Sequence, residues 1–244
     1  MNGTRTFATA GRVLTQIRHD PRTVGLLIVV PAALVGLVAW IFVNTPVFNQ
    51  IGPAMLALFP FVVMFLVTSI TTLRERRTGT LERLLSMPLG KADFILGYTL
   101  AFAALAIVQT AVAVGFAVWV CGLDIKGSVW LLFAVALADA ILGTTLGLFV
   151  SAFARTEFQV VQFMPALIFP QILLGGIFIP RDQLPDALHA ISDWLPLSHA
   201  VDALNAVATD SKDAGYVAGQ LLIIGAFALG AIILGSLTLQ RRTA

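Results

Sequence analysis

The chain has 244 residues, of which 58% are hydrophobic and only 11% are charged, and its formal net charge is +2. A soluble domain carries about 25% charged residues, because polar side chains must cover its core. The composition therefore excludes a water-soluble globular enzyme, a disordered protein and a nucleic-acid binder. It predicts an integral protein of the lipid bilayer, with a mean hydropathy of +0.92.

Six apolar stretches are long enough to cross a bilayer core about 30 Å thick, which takes roughly 20 helical residues. Their length favours helices over barrel strands, which would alternate in polarity over about ten residues. We expect spans at residues 24–43, 51–73, 94–120, 128–153, 158–179 and 216–239. The sequence thus predicts one all-α membrane domain over residues 1–244, with kinks or breaks at Pro31, Pro53, Pro60, Pro165 and Pro170.

The basic residues are distributed unequally between the two sides of this membrane domain. Twelve lie in the N-terminal tail, the two connections after the second and fourth spans, and the C-terminal tail, whereas three lie on the other side. Because basic residues accumulate in cytoplasmic loops, both termini are predicted to be cytoplasmic.

The first 22 residues have an amphipathic pattern. Phe7, Gly11, Leu14 and Ile17 fall near one helical face, and Asp20-Pro21 ends the pattern. This favours a helix lying in the membrane interface over residues 1–22. The alternative is a mobile basic tail.

Residues 74–90 form the most charge-dense stretch of the chain, yet Leu81, Leu84 and Leu85 make an apolar edge at helical spacing. A short amphipathic helix between two spans is suited to docking on a soluble partner. The alternative is a solvated loop whose charges only set the topology.

One motif in this stretch carries a resemblance to a known family. The sequence Glu75-Arg76-x-x-Gly79-Thr80-Leu81-Glu82, followed by Leu84-Leu85 and Pro88, resembles the motif of permease subunits of type 2 ABC exporters. Arg77 stands where that family usually has a second Glu, and Met87 where Thr is common. In character the chain is most similar to drug-efflux permeases of the daunorubicin-resistance kind.

The resemblance implies that the segment is a coupling helix seated in a groove of a separate ATPase subunit, present in two copies. It also implies a second permease copy, identical or related, in the cell inner or plasma membrane. Mg-ATP would bind the partner, because the only Gly-Lys pair, Gly90-Lys91, lacks the upstream glycine of a phosphate-binding loop. The implied coupling residues are Glu75, Arg76, Gly79, Thr80, Leu81, Glu82, Leu84 and Leu85.

Residues 180–215 form the longest predicted extracellular segment. A first helix is expected up to Pro196 and a second one capped by Ser198, both too short to span and therefore re-entrant or interfacial. The resemblance implies that they form a small lid between the fifth and sixth spans. We expect the acidic residues here to be solvated, and the His199 and Asp202 pair to be a surface pair rather than a metal site.

Asp139 is the one formal charge deep in a predicted span, which makes it a functional candidate. It could hydrate a path, bind a cationic drug or carry protons, or it could be a protonated carboxyl bonded to a neighbouring helix. Gly143 and Gly147 form a small-x-x-x-small motif that favours close helix packing. The candidate residues of a substrate path are Asp139, Gln109, Gln171, Phe59, Phe65 and Phe163.

We therefore expect a permease subunit, not itself an enzyme, that exports a hydrophobic or amphipathic drug, antibiotic or lipid-like substrate by alternating access. Neither a cofactor nor a metal is expected in this chain. The alternatives are an ATPase-independent carrier or channel that uses Asp139, and an ABC exporter of polysaccharide or lipid-linked glycan.

Overall fold

The structure, a computed structural model, describes residues 3–77 and 91–238. Throughout these two ranges the regular secondary structure is helical. A π-helical turn, Phe116–Val120, extends α4, and a 3-10 turn, Arg181–Gln183, follows α6. The helices are α1 Gly3–Arg18, α2 Pro21–Ile41, α3 Val47–Arg77, α4 Lys91–Gly115, α5 Val129–Ser151, α6 Glu157–Leu174, α7 Asp186–Ser192, α8 Pro196–Thr209 and α9 Ala214–Thr238.

Six of these helices are long and apolar enough to cross a membrane: α2, α3, α4 with its π-helical turn, α5, α6 and α9. The all-α prediction with six spans is confirmed. Kinks or breaks were predicted at proline; breaks are wrong, because α2, α3 and α6 continue through the prolines inside them, and kinks stay a prediction. Neighbouring helices and local adjustments compensate for the lost backbone bonds in such spans.

The centre of the bundle is the contact between α3 and α5, the two spans with the largest buried share. A Cβ added at Gly143 would collide with the carbonyl oxygen of Phe61, and one at Gly147 would lie 2.5 Å from that of Phe65. The predicted small-x-x-x-small motif therefore brings the backbone of α5 against that of α3. The two helices run parallel, since both pairs advance by four residues.

Helix α1 packs against α4, and the N-terminal segment is helical as predicted over most of its length. Its buried face is formed by small and β-branched side chains, and the predicted face is only partly correct. Phe7 is 70% exposed and Gly11 is exposed, whereas Ile17 is buried. Small residues face α4 because the two helices approach closely there. The buried residues are Thr6, Thr9, Ala10, Val13 and Ile17.

Gly97 permits this close approach, and its replacement by alanine is expected to push α1 away from α4. An added Cβ would lie 2.6 Å from Cβ of Thr9 and 3.0 Å from the carbonyl oxygen of Thr6. Overpacking of this kind costs about 1–3 kcal/mol. Hydrogen exchange of the α1 amides should become faster in Gly97→Ala. Gly11→Ala is the control, because a Cβ there meets no atom of the described residues within 4 Å; equal protection in both variants would contradict the prediction.

The segment between α6 and α9 contains two helices, but their boundary differs from the prediction. Helix α8 begins at Pro196, and Ser198 lies inside it rather than at the N-cap. The acceptor for the free backbone N–H of Leu197 is instead Oε1 of Gln171 in α6, at 3.1 Å. Proline fits the first turn because that position needs no backbone donor. A tertiary contact therefore replaces the local cap.

Candidate coupling site

The last turn of α3 contains the first residues of the charge-dense stretch, Arg74 to Arg77, and three consecutive residues there bind three different helices. Arg74 pairs with Glu157 in the first turn of α6, with Nε to Oε1 at 2.7 Å and Nη2 to Oε2 at 3.1 Å. Arg76 donates from Nη1 to the carbonyl oxygen of Ser151, the last residue of α5. We call Arg74, Glu75 and Arg76 the α3 clamp.

Glu75, the middle residue of the α3 clamp, is 4% exposed and pairs with Arg12 of α1. The pairing is bidentate, with Nη1 to Oε1 at 3.2 Å and Nη2 to Oε2 at 3.1 Å. Arg12 also donates to the hydroxyl of Tyr98 in α4 at 2.8 Å, and its guanidinium carbon lies 5.9 Å from the centroid of that ring. One guanidinium thus joins α1, α3 and α4.

The Arg74–Glu157 and Arg12–Glu75 ion pairs differ in how much free energy of folding their loss would cost. The Arg74 and Glu157 side chains are 57% and 44% exposed, and such a pair contributes about 0–1 kcal/mol. The carboxylate of Glu75 is nearly inaccessible, so the loss of its bidentate contact with Arg12 costs more than the loss of an exposed pair. Glu75 is therefore the energetically sensitive member of the α3 clamp.

Only the first part of the predicted coupling segment lies within the described residues. Glu75 and Arg76 are there, and both face the helices of the bundle. The segment 74–90 as a docking helix stays a prediction. The other implied coupling residues lie outside the described residues: Gly79, Thr80, Leu81, Glu82, Leu84 and Leu85.

Two candidates for the substrate path are fully buried polar groups. Asp139 in α5 and Gln109 in α4 each have no exposed surface. Both carboxyl oxygens of Asp139 and both amide atoms of Gln109 lack a hydrogen-bond partner among the described residues. An ionised carboxylate in an apolar membrane interior is costly. In this conformation Asp139 therefore fits a neutral carboxyl inside the bundle better than a charge lining an open path.

The other path candidates are placed in the packing of the bundle. Gln171 donates to the carbonyl oxygen of Leu167 and accepts from the backbone of α8. Phe65 is fully buried in α3, Phe59 is partly buried against the main core, and Phe163 packs beside Leu73. The role of these residues in a substrate path stays a prediction.

A second polar cluster lies at the opposite end of the bundle. Arg181 pairs there with Asp193 and Asp202. The expectation of solvated acids is wrong for Asp202, whose side chain is 23% exposed, whereas Asp193 is 52% exposed as expected. His199 has one ring nitrogen 2.6 Å from Oε1 of Gln220 and the other 3.0 Å from the carbonyl oxygen of Asp193. Within residues 3–77 and 91–238 no group of three or more potential ligands is placed to hold a metal ion.

Sequence reasoning did not find the residues that hold the α3 clamp. Arg12 is 63 residues from Glu75, Tyr98 is 86 residues from Arg12, and Glu157 is 83 residues from Arg74. No local spacing links residues this far apart. The one signal in the sequence was the carboxylate of Glu75 directly after an apolar span, because a carboxylate that is buried at such a position requires a basic partner.

Comparison with known proteins identifies the chain. The ABC-2 type transporter family matches residues 4–208. ABC transporter G family member 20 of Dictyostelium discoideum is 27% identical over 161 residues, which are 66% of this chain and 22% of that protein. The probable multidrug ABC transporter permeases YbhR and YbhS of Escherichia coli (strain K12) are 25% and 24% identical over 62% and 64% of this chain.

The chain spans 41% of the length of each of these two permeases. The family match covers most of the chain, and the six spans agree with a permease that crosses the membrane several times. The chain belongs to the ABC-2 type transporter family and is a multi-pass membrane component of an ABC transporter.

Proposed function

We propose that the chain is the permease subunit of an ATP-driven exporter, powered by two copies of a separate ATPase that dock on the segment after the α3 clamp. A second permease copy completes the translocation path. Mg-ATP binds and is hydrolysed in the ATPase, and this chain converts the movement of the ATPase into alternating access. The observation that carries the proposal is the α3 clamp itself.

The α3 clamp supports a transmission role because of where its three contacts go. A force on the segment that follows Arg77 acts first on the end of α3. Through Arg74, Glu75 and Arg76 it reaches α6, α1 and α5. A nucleotide can shift the equilibrium between two conformations only through contacts that differ between them. A joint that ties four helices together provides such contacts.

The length of α3 supports docking outside the bilayer. Its 31 residues extend for about 46 Å, whereas the hydrocarbon core is about 30 Å thick. Most of this excess lies at the end that carries Arg74, Arg76 and Arg77, because charged side chains avoid the hydrocarbon. By the distribution of basic residues this end faces the cytoplasm, where an ATPase would be.

The apolar outer faces of the spans support the proposal of a second permease copy and of a hydrophobic substrate. Helices α2, α6 and α9 are mostly exposed in the single chain, in contrast to α3 and α5. Lipid covers part of this surface, and the second permease copy covers the rest. The relatives named as multidrug permeases support an amphipathic drug-like substrate.

The proposal is tested by purifying the tagged chain in mild detergent from its native membranes and assaying ATP hydrolysis in the eluate. We expect a stoichiometric ATPase with the wild type. Gly79→Pro removes a backbone donor and fixes φ, and Glu82→Arg reverses a charge of the motif. Each should reduce the co-eluting ATPase about tenfold, for which a loss of 1.4 kcal/mol of binding free energy suffices.

The control for both variants is Asp186→Asn, an exposed acid at the far end of the bundle. A homo-oligomer without ATPase would overturn the proposal and favour the second candidate, an autonomous carrier. The observation that favours a carrier is that Asp139 is buried without a hydrogen-bond partner among residues 3–77 and 91–238. In that event Asp139→Asn should abolish proton-dependent uptake of substrate, whereas an ATP-driven exporter should retain ATP hydrolysis with the same substitution.

A further inference from the structure

Arg181 has an unusual position for an arginine in this chain. It lies in the 3-10 turn directly after α6, and its side chain is only 8% exposed. All three guanidinium nitrogens donate: Nε to Oγ of Ser192 at 2.9 Å, Nη1 to Asp202 and Nη2 to Asp193. These acceptors lie at the end of α7, in the connection after it, and in α8. We call these four residues the Arg181 cluster.

The backbone before Arg181 is shaped to turn this side chain inward. Gly176 has φ of +81°, in the left-handed region that favours glycine. A Cβ added there would lie 3.2 Å from Cγ of Arg181 and 3.7 Å from Cγ1 of Val201. The turn after α6 therefore brings the arginine stem against α8, which places its guanidinium beside Asp202.

Helix α8 is fixed to the bundle by contacts that do not involve Arg181. Its residues Leu197, Val201 and Leu204 are fully buried in the main core. At its start Gln171 of α6 accepts from the backbone, and at its end the carbonyl oxygen of Val207 accepts from Gly127 at 3.1 Å. Loss of Arg181 should therefore leave α8 in place.

Helix α7 has much weaker attachment. It contacts α6 and the 3-10 turn, and its apolar side chains point outward, with Leu188, Ile191 and Trp194 of the following connection 38%, 50% and 78% exposed. Two polar contacts link its C-terminal end with α8: the Arg181 cluster, and the contact between Nε2 of His199 and the carbonyl oxygen of Asp193 at 3.0 Å. An external helix of seven residues is too short to hold its position by itself.

The charges in the Arg181 cluster depend on the arginine. Burial raises the pKa of Asp202, although the nearby guanidinium of Arg181 acts in the opposite direction. His199 also lowers this pKa and Asp193 raises it. Without Arg181, the largely buried Asp202 and the half-exposed Asp193 would lose the cation that they share, which would weaken the link between the end of α7 and α8.

We propose that Arg181 is a positioning residue for transport. It holds α7 on α8, so that these two helices, which we call the outer cap, move as one body with α6 and α9. This rests on the proposed exporter function. The link to α9 runs through His199, which lies 2.6 Å from Gln220. When the spans change conformation, a locked cap opens and closes the outer side with them. A released α7 loses that coupling while the ATPase end remains intact.

The test compares Arg181→Gln with the wild type in three measurements on the full permease–ATPase complex in proteoliposomes. We expect faster hydrogen exchange in residues 186–195, unchanged basal ATP hydrolysis, and a severalfold loss of daunorubicin transported per ATP. Arg181→Lys keeps the charge but not the three-way donor geometry, and should be intermediate. Lys126→Gln, an exposed cation at the same end, is the matched control.

Arg181→Gln combined with Asp202→Asn tests whether the effect is merely structural. Removal of the unpaired acid should restore thermal stability but not transport per ATP. Equal exchange in residues 186–195 in all variants would overturn the proposal, as would transport and ATP hydrolysis falling together with stability. Failure of an ATPase to co-purify with the wild type would overturn the exporter function instead, and the exchange measurement would still decide whether Arg181 holds α7.

Discussion

Alanine at Gly143 or Gly147 is expected to destabilise the whole bundle by about 1–3 kcal/mol each, because the added Cβ meets backbone rather than a movable side chain. At Gly143 the contact is with the carbonyl oxygen of Phe61, and at Gly147 it is with that of Phe65 at 2.5 Å. Helix α5 would have to move away from α3, and the buried contact between them would open. Thermal unfolding of the detergent-solubilised chain measures the effect.

Alanine is expected to destabilise the protein at Gly143 and Gly147 but not at an exposed glycine, so the experiment is selective for close helix packing. In a helix exposed to its surroundings, alanine is more favourable than glycine by about 1 kcal/mol. Gly225→Ala in α9 is the matched control, because its Cβ would meet no atom of the described residues within 4 Å. It should keep or raise the unfolding temperature. If Gly143→Ala and Gly225→Ala unfolded at the same temperature, close packing of α3 on α5 would be contradicted.

The six spans could be predicted from sequence because bilayer thickness and the cost of unpaired backbone groups act on each segment separately. The close-packing motif of Gly143 and Gly147 could also be predicted from the sequence, because a spacing of four residues places both glycines on one face of a helix. The prediction of breaks at proline overestimated the effect of this residue on a transmembrane helix. Its effect on a helix depends on what neighbouring helices supply, as the uninterrupted course of α3 through Pro53 and Pro60 illustrates.

The polar contacts of the candidate sites depend on tertiary structure and were largely missed. Ser198 was expected to cap a helix, but Gln171 of another helix supplies the acceptor. Asp202 was expected to be solvated because it lies in an acidic loop, yet the turn at Gly176 brings the buried Arg181 to it. In each case the partner comes from another helix or turn, and residue spacing within one helix contains no information about it.

The second large effect is expected at the pair of Arg12 and Glu75. Arg12→Ala leaves the nearly inaccessible carboxylate of Glu75 without its bidentate partner, and α1 loses its polar link to the end of α3. Transport per ATP should fall about tenfold or more, equivalent to at least 1.4 kcal/mol of coupling free energy. Arg18→Ala, an exposed arginine of the same helix, should change transport little. Transport and ATP hydrolysis are measured together in proteoliposomes.

A double-mutant cycle separates the pair from the two residues taken individually. If Arg12 and Glu75 act together, the combined alanine variant should be no worse than Arg12→Ala alone, with an interaction energy of about 0.5–3 kcal/mol. Additive losses would contradict a shared role. Tyr98→Phe removes only the acceptor that Arg12 uses in α4 and should have a smaller effect.

The double-mutant cycle distinguishes force transmission from a purely stabilising role only if transport, ATP hydrolysis and unfolding temperature are all measured. If the pair only stabilised the fold, both single variants would lower the unfolding temperature and reduce transport and ATP hydrolysis in proportion. If it transmits force, ATP hydrolysis should persist while transport is lost, because the ATPase still docks on the segment after Arg77 but no longer moves α1. Glu75 lies at the start of the proposed coupling motif and is buried in the bundle, so a single substitution there tests whether docking and span movement can be separated.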